Sequence, residues 1–166
     1  MKITVLEHHT QGLGSKPTDS EIESILSDSN YGGHGDPDYR DPDYAERLEY
    51  VKGVLHGLQF PLRVWRGLQV PSGKEIRMGT DVGTHWTYNY AMFDANTSGE
   101  WFSRDKLNVI LSGVITDGMV NWKQTIIDLA SDYDPRHGGP GKNAEYEMEL
   151  KRGIVPDDIE IWADYR

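Results

Sequence analysis

The sequence predicts an α+β fold in a single domain spanning residues 1–166, and three observations carry that prediction. Eighteen glycines and eight prolines among 166 residues demand many turns, more than a helix bundle needs. Leu107, Val109, Leu111, Val114 and Ile115 form an apolar, β-branched-rich run of strand length. Ile22, Ile25 and Leu26 instead recur at the three-to-four spacing of a helix.

In chain order, Lys2 to Glu7 predicts a short strand and Gly12 to Pro17 a loop. Thr18 to Asp28 predicts a helix capped by Thr18 or Asp19. Ser29 to Asp38 is Gly-rich and polar, as loops are. Asp-Pro-Asp-Tyr occurs at Asp36–Tyr39 and again at Asp41–Tyr44. The second copy sets Asp41 as N-cap and Pro42 in the first turn of a helix through Leu48, Val51 and Leu55 to about Leu58. Such an acidic run could also bind a hard cation such as calcium, but it lacks the EF-hand spacing.

Pro61 to Gly67 alternates, with Leu62 and Val64 on one face and Arg63 and Trp65 on the other, so a strand is expected with Arg66 near its end. Val82 to Thr87 predicts another strand, followed by a helix through Tyr90, Ala91 and Phe93. Asp94 to Glu100 is a turn-rich loop. After the Leu107–Ile115 strand and a turn at Thr116–Gly118, Trp122 to Leu129 predicts a short helix. Ser131 to Asn143 is a long loop, of the kind that is functional or disordered in compact domains. Ile154 to Trp162 predicts a last strand, with Pro156-Asp157-Asp158 as a turn.

Ala144 to Gly153 holds the most chemistry. As a strand it points Tyr146, Met148 and Leu150 one way and Glu145, Glu147 and Glu149 the other. Carboxylates in such a row, roughly 6.5–7 Å apart, oppose one another's ionisation, which suits a general base or a cation-stabilising group. The same residues are good helix formers, with Glu147/Lys151 and Tyr146/Leu150 as i,i+4 pairs. Gly139, Pro140 and Gly141 upstream and Gly153 downstream favour the strand.

Composition narrows the function classes. A net charge of −10 with no basic cluster argues against nucleic acid or an anionic membrane as partner. The absence of cysteine excludes disulfides, thiolate zinc sites and a Cys nucleophile. The six histidines fall in no metal-ligand pattern, and His8-His9 reads as a surface pair; no metal is expected. No phosphate-binding Gly loop or nucleophile elbow is present. The apolar run at the N-terminus is too short for a signal peptide, and no run approaches the ~20 residues that span a bilayer. A cytoplasmic protein is expected, and delivery into another cell stays compatible with the sequence.

Three pieces, taken in order, resemble the ADP-ribosyltransferase superfamily in its Arg / Ser-Thr-Ser / Glu-x-Glu branch. Val64-Trp65-Arg66-Gly67 is similar to the aromatic-Arg-Gly strand, Gly83-Thr84-His85-Trp86-Thr87 to the Ser-Thr-Ser strand, and Glu145-Tyr146-Glu147 to the Glu-x-Glu element. The resemblance covers Leu62 to Trp162. It implies two packed β-sheets forming an NAD cleft in residues 61–166, with residues 1–60 as a helical and loop region outside the motifs. It also implies NAD as substrate, a target protein as acceptor, and transfer of ADP-ribose to an arginine with release of nicotinamide. Glu147 would stabilise positive charge on the ribose, and Glu145 would orient or deprotonate the acceptor. Arg66 and Gly67, the segment Thr84, His85, Trp86 and Thr87, and Arg104 would contact the cofactor, with Thr87 also holding Glu147. His85 departs from the family pattern by replacing the first Ser, although a register shift could give that role to Thr84. The same resemblance leaves open an NAD glycohydrolase and a catalytically silent binding or structural protein of this fold. Glu149 reads as the solvated end of a strand face.

Overall fold

The computed structural model describes residues 15–29, 41–77, 82–93, 109–142 and 144–164. The expected Lys2–Glu7 strand, His8-His9, the first Asp-Pro-Asp-Tyr copy, the Asp94–Glu100 loop and Arg104 lie outside the described residues. The architecture is α+β. Strands β1 (Leu62–Leu68), β2 (His85–Thr87), β3 (Val109–Ile115), β6 (Glu147–Glu149) and β7 (Asp157–Asp164) form one antiparallel sheet in the order β6-β2-β1-β3-β7. Helices α1 (Asp19–Ser27), α2 (Tyr44–Gly57) and α3 (Trp122–Asp132) cover one face of it. The second sheet is a two-stranded hairpin of β4 (Tyr133–Asp134) and β5 (Gly139–Pro140), much smaller than the second layer expected.

Local sequence explains the helices. Thr18 caps α1 through a capping box: its hydroxyl accepts from the Glu21 amide and Glu21 reaches back to the Thr18 N–H. Ile22 and Leu26 then point inward, at 0 % and 1 % exposure. For α2 the N-cap is Asp43 and not the expected Asp41. Asp41 accepts from the Asp43 amide and pairs with Arg47 at 2.8 Å, so it braces the turn before the helix. Leu48, Val51 and Leu55 form the buried stripe. Asn121 caps α3, which runs on to Asp132 through what sequence suggested was the start of a loop.

The strands follow their alternation. Val64 and Leu68 are buried in β1, and Val109, Leu111 and Ile115 in β3, all facing the helices. Trp86, Met148 and Leu150 join them, so residues from both the 1–60 and 61–166 regions share one core. Each fully buried aliphatic side chain of this kind contributes about 1.5–3 kcal/mol. Edge strand β6 is fastened by α3, because the Thr125 hydroxyl accepts from the Glu149 amide and the Asn121 amide donates to the Glu149 carbonyl. Tyr90–Phe93 forms a single 3-10 turn where a longer helix was expected. Among the described residues, no helix is long and apolar enough to cross a membrane.

Candidate active site

Register in the sheet builds the site. Glu147 of β6 lies opposite Thr87 of β2, Thr87 opposite Trp65 of β1, Trp65 opposite Ser112 of β3, and Ser112 opposite Glu160 of β7. Cross-strand partners share a face, so these five side chains make one row across the sheet on the side away from the helices. Trp86 alternates to the helix side, where it is 1 % exposed and packs in the core. It therefore lies apart from the row that holds Thr87 and Glu147.

The Glu-x-Glu element is not a continuous strand. Pairing begins at Glu147, and Tyr146 has a φ of +53°. That left-handed conformation is unfavourable for a bulky side chain and costs on the order of 1–3 kcal/mol. The surroundings impose it from both sides. Asp132 at the end of α3 accepts from the backbone amides of Glu145 and Tyr146, each at 3.3 Å. Across the turn, the Thr87 hydroxyl lies 3.2 Å from the Glu145 carbonyl and 3.1 Å from that of Tyr146, which also accepts from the Tyr88 amide. The Tyr146 ring meets Tyr88 edge-on. Thr87 thus holds the backbone that delivers Glu147 and not its carboxylate.

The turn brings the two acids together. The Glu145 carboxyl acts directly on the Glu147 carboxyl, opposing its ionisation. Burial pushes Glu147 up to about 7, the neighbouring Glu145 carboxyl adds to the rise, and Asp128 adds a little more. The Arg66 guanidinium is near enough to oppose that rise. Burial in turn lowers Arg66, and the charge of Glu147 works against this. A carboxyl group that titrates near neutrality can take or give a proton, and its anion can stabilise a cation.

Arg66 leaves β1 on the helix side, alternating with Val64 and Leu68. One of its terminal nitrogens donates to the His85 carbonyl. The guanidinium fills the space beside Gly83, where a Cβ would lie 2.7 Å from Nη2. Its Nε is buried with no partner among the described residues. Gly67 pairs with Ile110 further along β1. The Thr84 carbonyl accepts from the Leu150 amide, and the Thr84 hydroxyl lies 3.4 Å from His85 Nδ1. His85 itself sits opposite Glu149. Glu149 is half-buried and accepts from the Asn121 side chain at 3.3 Å, so it ties β6 to α3 and is not a solvated strand end.

Sequence reasoning missed Asp128 and Asp132. Their i,i+4 spacing was the available signal, since it puts both carboxylates on one face of a helix once α3 extends past Leu129. Asp132 also borders an open depression of about 730 Å³ lined by Asp134, Arg136, His137 and Lys142. Arg136 and His137 are both bound to Asp134 there, at 2.7 and 3.2 Å. No group of three or more His, Asp or Glu among the described residues is arranged to hold a metal ion. No protein-family model matches this sequence, and comparison with curated proteins and with solved structures finds no similar chain.

Proposed function

We propose that this protein is a mono-ADP-ribosyltransferase that uses NAD as donor and an arginine side chain of a target protein as acceptor. The observation that carries this reading is the adjacency of β6, β2 and β1, with Glu147 opposite Thr87 and within electrostatic reach of Arg66. NAD supplies a glycosidic bond whose electron pair departs with nicotinamide while positive charge builds on the ribose. The ionised Glu147 stabilises that charge. Glu145, in contact with Glu147, accepts the proton that the guanidinium nitrogen loses as it bonds to the sugar carbon. Arg66 leaves the opposite face of β1 and is bonded to the His85 carbonyl, so its part here is the positive charge that favours the ionised form of Glu147. Thr87 and Asp132 keep the two carboxyl groups in register.

The inward bond from Arg66 to the His85 carbonyl favours a second reading, a non-catalytic binding protein built on the same sheet. One experiment separates the two: incubation of the protein with labelled NAD and a cell lysate, following transferred label and free nicotinamide. Glu147→Gln is expected to lower both by at least about 10²-fold, the usual loss on removing one electrostatic stabiliser. Glu145→Gln is expected to suppress transfer while sparing much of the hydrolysis. Neither product from the parent protein would leave the binding reading standing.

A further inference from the structure

We propose that Trp65, Tyr90 and Trp162 form the docking surface for an arginine-bearing segment of a partner protein. Tyr90 and Trp162, at 39 % and 47 % exposure, are the exposed large apolar side chains among the described residues. Both sit in one cluster. Ring centroids are 5.5 Å apart for Trp65 and Tyr90, 5.7 Å for Tyr90 and Trp162, and 6.3 Å for Trp65 and Trp162. Trp and Tyr are the residues that dominate binding energy at protein interfaces, and here two exposed rings stack on a third.

Charge selects the occupant. Trp65 is the centre of the five-strand row, two strands from Glu147 and two from Glu160, or about 10 Å from each at sheet spacing. Glu145 adds its carboxyl group at the first end. At the second, Glu160 is half-exposed and shared with Arg63 at 3.1 Å. Aromatic faces between two acidic ends, on a protein of net charge −10, favour a cation over an anion, most of all above about pH 7, where Glu147 is ionised. A guanidinium is flat and weakly hydrated and stacks on aromatic rings, whereas an ammonium keeps its water more strongly. An arginine held on this cluster lies on the same face as Glu147. The docking surface is thus the acceptor subsite of the transferase reading and rests on it for its purpose, but docking itself needs no NAD.

The test uses the full chain without NAD and three otherwise identical short peptides, carrying a central arginine, lysine or citrulline. The indole signals of Trp65 and Trp162 are followed by NMR. The arginine peptide is expected to shift both, the lysine peptide to shift them more weakly, and the uncharged citrulline peptide to leave them in place. Trp162→Leu and Tyr90→Leu, at exposed positions that tolerate change, are each expected to weaken arginine binding by roughly tenfold, the scale of one cation–π contact. Equal shifts with citrulline overturn the proposal, as does no shift at millimolar arginine peptide. A response to nicotinamide in place of the peptide overturns it too. Docking without any nicotinamide release from NAD would defeat the transferase reading and leave the docking surface intact, while release without docking would do the reverse.

Discussion

Replacing Glu147 by glutamine should stabilise the folded protein above neutral pH and leave it unchanged in acid. In the folded chain the Glu147 carboxyl keeps its proton up to about 7, against an ordinary value of 4.5. Between those values the native state holds more protons than the unfolded state, so stability falls as pH rises through the window. Below about 4.5 both states are protonated and the contribution vanishes. The interval, at about 1.4 kcal/mol per pH unit, sets a ceiling of about 3 kcal/mol on the cost of the ionised form. Glu147 is only half-buried, and solvent screening brings the expected effect to about 1–2 kcal/mol. Glutamine keeps the shape and removes the charge. The assay is thermal melting of both proteins from pH 4 to pH 8.5. The variant should gain a few degrees at pH 8, at about 2–4 °C per kcal/mol for a chain of this size, and nothing at pH 4. A variant that melts lower than the parent at pH 8 would refute the idea that a crowded, desolvated carboxylate sits there.

Two further outcomes test the supports of the site. Thr87→Val removes the hydroxyl facing the Glu145 and Tyr146 carbonyls and should cost about 1–3 kcal/mol, with faster amide exchange at Glu145 to Glu147; a loss below 0.5 kcal/mol, on the scale of an ordinary surface change, would show that the hydroxyl is not the clamp. Gly83→Ala places a methyl 2.7 Å from Arg66 Nη2 at a φ of +65°, so it should destabilise by more than about 1 kcal/mol and break the Arg66–His85 bond, whereas an unchanged melting curve would argue against the close approach.

Much of the frame was legible because local rules and tertiary packing agree there. Thr18 and Glu21 announce a capping box, and Val64, Leu68, Val109 and Leu111 announce a buried sheet face by alternation alone. The row from Glu147 to Glu160 was hidden, because register between strands far apart in sequence is set by the assembled sheet. The turn at Tyr146 was hidden for a stronger reason. No glycine or asparagine marks its positive φ, and the groups that impose it are Asp132, 14 residues away, and Thr87, 58 and 59 residues from its carbonyl partners. Simple alternation still put Glu145 and Glu147 side by side, through a geometry it did not foresee. Trp162 lay in plain view on the alternation of β7, yet its meaning needed Trp65 and Tyr90 beside it.

The two ends of the sheet also face different hazards. A bare strand edge is a template for a second copy of the chain. At β6 that template is closed, since Thr125 and Asn121 of the α3 region occupy the Glu149 backbone groups. At β7, the opposite edge, Asp157, Asp158, Glu160 and Asp164 are exposed, and two such edges brought together would set like charges side by side. The acidity of this protein therefore also guards the β7 edge, which has no further strand beside it among the described residues. As carboxylates gain protons below about pH 4, that repulsion fades, and self-association should begin at β7 before the helices or the core give way.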